Sequence, residues 1–261
     1  MFGFRDARAA IAALILLAAC SRPPKPASLS IAAAADLRFA FPALAQRFQA
    51  AHPETTLTPV YGSSGNYYSQ IRNGAPFDVF LSADVEYPKR LVAEGAALAD
   101  SLFVYGTGRI ALWVPAQSAL DLDRLGIHAL EDPSVHHIAM ANPRHAPYGR
   151  AAEAALRSLG VYDRVAAKLV IGENISQAFE FVESGAAEAG LVARSLTLAP
   201  AMRGKGRSWE IPAASYPPLE QAGVILSRAK GNPAAAQFRA WMMGPEARAI
   251  LTQYGFSVPE R

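Results

Sequence analysis

The sequence predicts an α/β fold in two lobes, each a mixed, mostly parallel sheet flanked by helices. Short apolar runs alternate with longer helical patterns from Leu29 onward, which is the pattern of parallel strands joined by crossover helices. Two apolar runs, at 109–115 and 221–227, have no local partner. They are expected where the chain crosses from one lobe to the other and back. Setting aside an N-terminal segment leaves about 230 residues, enough for two lobes of ordinary size.

In chain order, 29–34 reads as a buried strand, 39–51 as an amphipathic helix, 56–61 as a strand and 67–73 as a helix. The run FDVFLS at 77–82 is a strand and 85–94 a helix. After the first crossing come strand 137–141, helix 150–159, strand 169–171, helix 176–184 and strand 189–193. Residues 211–218 are proline-rich and irregular, 221–227 reads as the returning strand, and 234–254 as one long or broken helix. The expected division is 28–115 plus 222–261 for lobe I and 116–221 for lobe II, with a ligand cleft between them.

The first nineteen residues read as an export signal: Arg5 and Arg8 make a basic start, and an apolar run follows that is too short to span a bilayer. The ending Leu17-Ala18-Ala19-Cys20 has the small-residue pattern of a lipoprotein cleavage site. Cys20 is therefore the expected lipidated first residue of the mature chain, anchored to a membrane on the extracytoplasmic or periplasmic side. Residues 20–27, rich in proline, read as a tether. Cys20 is the only cysteine, so the mature chain has neither an internal disulfide nor a thiolate metal cluster. Losing Arg5, Arg8 and Asp6 with the signal lowers the formal charge from +3 to +2. That balance, without a basic stripe or stacking module, excludes a nucleic-acid footprint.

Four junctions place small or amide-exposing residues after a strand and before a helix. They are 32–37 (AAAADL) with Asp36 at a helix N-cap, 62–66 (GSSGN) with Ser63 and Ser64, the two-proline loop 142–150 with Tyr148, and 172–176 (GENIS) with Ile175. Helix N-termini offer unpaired N–H groups and a partial positive charge, and serine hydroxyls add donors. Two junctions from each lobe would converge on one cleft and hold an oxyanion through neutral donors. Such a design avoids the desolvation cost of a buried counter-charge.

Each junction is also what an ordinary capped turn looks like. The adjacent Tyr67 and Tyr68 have the chemistry of ferric-iron ligands, but consecutive helical residues face apart, which fits one core and one surface tyrosine. The histidines at 128, 136, 137 and 145 have no metal-site spacing and read mostly as solvated. No G-x-S-x-G elbow, phosphate loop or H-E-x-x-H pair is present, which argues against an enzyme.

The chain resembles the molybdate-binding proteins that serve ABC transporters, within the two-lobed periplasmic binding proteins. The resemblance rests on AAAADL at 32–37, YGSSGNYYSQIRNGAPFDVFLSAD at 61–84, GRIALWVP at 108–115, NPRHAPYGRAAEAAL at 142–156, GENISQAF at 172–179 and GPEARAILTQYGF at 244–256. It implies a receptor without cofactor that captures molybdate or tungstate and hands it to a membrane permease. It implies contacts from Asp36, Ser64 and Ser63, and from Tyr148 and Ile175 through backbone amides. It also implies a monomer; the only membrane attachment expected is the lipid on Cys20 read from the cleavage-site pattern. Two departures stand out: Asp36 occupies a position where relatives often carry a hydroxyl or amide, and Ala193 one where some carry a tyrosine. The Asp36 carboxylate would repel an anion unless it turned back to cap its own helix, leaving its N–H to serve. The alternatives are a receptor for sulfate, a phosphonate or ferric iron, or a lipoprotein enzyme on the same fold.

Overall fold

The computed structural model describes residues 27–258. The expected signal at 1–19, Cys20 and the tether up to Pro26 lie outside the described residues. The first sheet is built from β1 (Ala27–Ala34), β2 (Thr55–Gly62), β3 (Val79–Ser82), β4 (Phe103–Gly108) and, from far along the chain, β10 (Leu219–Ile225), in the order β2-β1-β3-β10-β4. β1 pairs in parallel with β2 and β3, whereas β10 runs antiparallel to β3 and β4. The second sheet repeats this plan with β5 (Ile110–Pro115), β6 (Ile138–Ala141), β7 (Leu169–Gly172), β8 (Ala189–Ala193) and β9 (Gly206–Glu210), in the order β7-β6-β8-β5-β9. Here β6 is parallel to β7 and β8, and β5 is antiparallel to β8 and β9.

The run 109–115, expected in lobe I, therefore belongs to lobe II. Only Arg109 separates β4 from β5, so the first crossing lies there and not after Pro115. The return crossing is the segment 211–218, and Leu219–Gln221, assigned to lobe II by the sequence reading, already pair with β4. A strand's own pattern shows that it is buried, not which sheet it joins.

The central strands are covered on both faces. Leu29, Ile31, Ala32 and Ala33 of β1 are fully buried, the continuous apolar run expected of a parallel sheet between helices. The principal helices are α1 (Ala40–Ala51), α2 (Ser64–Arg72), α3 (Glu86–Ala93), α4 (Pro147–Ser158), α5 (Ile175–Glu183), α6 (Pro233–Met242) and α7 (Pro245–Gln253). α1 buries Phe41, Leu44 and Phe48 at helical spacing, and Phe238 of α6 meets Phe48 edge-on at 5.4 Å. That contact ties the C-terminal helices to the first lobe. The long pattern at 234–254 breaks at Gly244, with Pro245 opening α7, a position where its missing N–H costs nothing. In lobe II, α5 buries Ile175, Ala178, Phe179 and Val182, and Phe179 lies 4.8 Å from the Trp113 ring of β5.

Candidate functional site

Parallel strands in each sheet end at the same edge, and the two edges face each other across the cleft, as ligand sites in α/β sheets usually require. β1 runs into a 3-10 turn, Ala35–Leu37, and β2 into α2. From the other lobe, the loop after β6 leads into α4 and β7 leads into α5. The five residues singled out in the sequence, Asp36, Ser63, Ser64, Tyr148 and Ile175, all line one cavity between these junctions. It encloses about 200 Å³ of empty space. In this closed form there is room for one small ion. The described residues lining it include no lysine or arginine.

Ser64 opens α2 and is almost fully buried. Its Oγ accepts the Ala83 N–H at 2.9 Å, so its own proton is free to be donated. Ile175 opens α5 behind the cap Asn174, whose Oδ1 accepts from the N–H groups of Ser176 and Gln177 at 2.9 and 3.1 Å. The cap thus leaves the Ile175 N–H unclaimed, and the helix supplies no acceptor to its first turn. Tyr148, the second residue of α4 after Pro147, likewise has its N–H in a helix's first turn.

Ser63 plays a different part. Its Oγ lies 2.9 Å from His145 Nδ1, and the next N–H but one, that of Gly65, donates to the His145 carbonyl at 2.9 Å. His145 belongs to the lobe II loop, so these bonds join the lobes at the cavity rim. The expectation of a solvated histidine does not hold for His145. Around the rim, Arg38 pairs with Glu180 and donates to Ser176 Oγ at 3.0 Å, Asn66 donates to Glu173, and Arg150 pairs with Asp84.

Asp36 departs most from its sequence reading. It lies inside the 3-10 turn, whose N-cap position is Ala34, and makes no side-chain cap bond. It is fully buried, and its Oδ2 accepts from Tyr148 Oη at 2.9 Å and Gln221 Nε2 at 2.5 Å. No salt-bridge partner reaches it among the described residues, and Oδ1 has no hydrogen-bond partner. Burial lifts its pKa from the ordinary 3.8 to about 6, against the opposing hydrogen bonds from Gln221 and Tyr148. Burial, reinforced by Asp36, holds the Tyr148 phenol well above its usual range. The side chain of Tyr148 thus serves Asp36, and Ser195 Oγ donates to the Asp36 carbonyl at 2.7 Å.

Gln221 and His145 were not singled out in the sequence. The one available sign for Gln221 was a polar residue inside an apolar strand. Tyr67 and Tyr68 do face apart: Tyr67 packs against Phe77 at 5.4 Å, and Tyr68 donates to Glu94 at 2.7 Å. The two phenols do not converge on an iron site.

Residues 29–257 match the family model of the bacterial extracellular solute-binding proteins. The chain belongs to this family. It is 36% identical to the molybdate-binding protein of Azotobacter vinelandii, over 93% of this chain and 94% of that one. It is 40% identical to the molybdate-binding protein of Rhodobacter capsulatus, over 77% of each. The solved structure of the Azotobacter vinelandii periplasmic molybdate-binding protein superposes with a TM-score of 0.82, at 35% identity, covering 89% of this chain and 100% of that one. The two-lobed fold is thus the fold of this group of receptors, and the relatives it matches are binding proteins. Among the described residues no helix is long and apolar enough to cross a membrane.

Proposed function

We propose that this member of the family captures molybdate, and its near-isostere tungstate, and delivers it to an ABC permease. The observation that carries this reading is the cavity itself: it has the size of one small ion, two lobes close on it, and hydroxyl and amide donors wall it without a cation. Ser64 donates its hydroxyl, Tyr148 and Ile175 donate backbone N–H groups, and Asp36 contributes at the first junction. Ser63 touches the ligand less than it fastens the rim through His145. Neutral donors in a closed, water-poor cleft hold a dianion firmly, yet leave no buried counter-charge when it departs. Size then selects among tetrahedral oxyanions. Its chemistry is capture and release, with no bond made or broken.

Calorimetric titration of the mature protein with molybdate, tungstate, sulfate and phosphate tests the ligand. Saturable binding of sulfate or phosphate without molybdate or tungstate would overturn the assignment. The protein acts as a monomer, exported and held at the membrane through lipid on Cys20. Labelling with a fatty acid, lost in a Cys20→Ala variant, tests the anchor.

A further inference from the structure

Asp36 is an acid in a cavity built for an anion. It lies at the wall of the cavity, fully buried, in the turn that follows β1. The groups packed around it are neutral: Tyr148 from α4, Gln221 from β10, Tyr105 from β4, and Ser195 from the turn after β8. Tyr216 lies beyond Tyr148. The nearby arginines are engaged elsewhere, Arg38 with Glu180 and Arg194 with Glu210. His145 is the remaining proton-accepting group near the rim, bonded to Ser63 and 3.6 Å from Glu173.

Two donors already satisfy Oδ2, and Oδ1 has none. A proton on Oδ1 would complete the carboxyl and turn an acceptor-only group into a donor. A carboxylate and a dianion cannot share a cation-free, low-dielectric site without strong repulsion. We propose that Asp36 is neutral in the loaded receptor: capture of the oxyanion draws one proton from solvent onto Asp36 Oδ1, which then donates within the cavity. This rests on the oxyanion reading of the same site. In the closed, empty cavity, burial already raises the Asp36 pKa to about 6, in the direction this uptake requires.

The sign follows from linkage. A nearby dianion raises the Asp36 pKa further, so affinity climbs by up to tenfold per unit as pH falls toward about 6, then levels off. Calorimetry at pH 7 in buffers of different ionisation enthalpy counts the protons directly. Molybdate binding should take up between about half and one proton per site. Asp36→Asn mimics the neutral acid, accepting at one atom and donating from the other. It should bind with no proton uptake and an affinity flat between pH 6 and 8.

Uptake below about a tenth of a proton in the wild type would overturn the proposal. So would uptake that persists in Asp36→Asn, because the proton would then belong to another group, His145 first. Should Asp36→Asn not fold, His145→Gln decides: uptake retained assigns the proton to Asp36, and uptake lost overturns it. Failure of every oxyanion to bind at any pH would instead remove the ligand reading, whereas binding without linkage removes only this step.

Discussion

Gly65 sits where the first lobe meets the second, and replacing it with alanine separates closure from folding. Its φ is not positive, so a helical side chain fits its own backbone. Alanine is also favoured over glycine in helix α2 by about 1 kcal/mol. An added Cβ, however, would lie 2.5 Å from the His145 carbonyl oxygen and 2.9 Å from the His145 Cα. Ordinary carbon–oxygen contacts are about 3.3 Å or more, so the rim must part by roughly 1 Å. The neighbouring clash with Tyr87 Oη, at 2.8 Å, is with the end of a side chain that can move. Parting the rim loses the Gly65 N–H bond to His145, worth about 1 kcal/mol. Overpacking typically adds about 1–3 kcal/mol. The closed form thus loses about 2–4 kcal/mol, or about 30- to 1000-fold in molybdate affinity. The ligand-free protein should melt no lower than wild type. Calorimetry measures the affinity, and small-angle scattering with and without molybdate measures the closure. An affinity within threefold of wild type, with full ligand-induced compaction, would refute the placement of Gly65 at a closing contact.

Ser64→Ala removes a buried hydroxyl that accepts from Ala83 and faces the cavity; molybdate affinity should fall by about 1–3 kcal/mol in calorimetry. In the closed form, burial of Asp36 makes the folded protein hold a proton that the unfolded chain releases. Stability should therefore fall by up to about 3 kcal/mol as pH rises from 3.8 to about 6, then stay level, the full fall belonging to the closed form, and denaturant unfolding of Asp36→Asn should lack that fall. In Gly108→Ala, the new Cβ would collide with Tyr148 Oη and lie 2.6 Å from Gln221 Nε2. Displacing the pair that holds Asp36 should cost about 1–3 kcal/mol of stability by thermal or chemical unfolding, and weaken oxyanion binding with it.

The strands and helices that carry the site were legible because each announces itself locally. AAAADL, GSSGN and GENIS are short stretches whose small residues and caps sit beside apolar runs. What escaped was the pairing between distant segments. β4, the run FVYGTG, has two glycines that blur its alternation, and β9, the run GRSWE, is a short and largely exposed edge. Neither has a strong period. Asp36 was read as a cap because an acid before a helix usually is one. Its actual partners, Tyr148 and Gln221, lie 112 and 185 residues away, and no local rule reaches that far. His145 was not told apart from the other histidines for the same reason: its partner Ser63 is 82 positions distant.

The distribution of charge explains how such a receptor both holds and lets go. The charged pairs stand at the rim, where Arg38 and Glu180 remain 40% and 48% exposed. Ion pairs this wet contribute between nothing and about 1 kcal/mol each. A few of them bias the lobes toward meeting but cannot keep them shut. The neutral donors lie inside, where excluded water makes each hydrogen bond to a dianion stronger. Closure is therefore stable chiefly with the anion in place, and the two lobes act as a two-state element whose equilibrium the ligand tips. A permease that grips the open form has only the inner hydrogen bonds to offset. Once water enters the cleft, those donors are satisfied as well by solvent as by the ion, and no buried cation remains to pull it back.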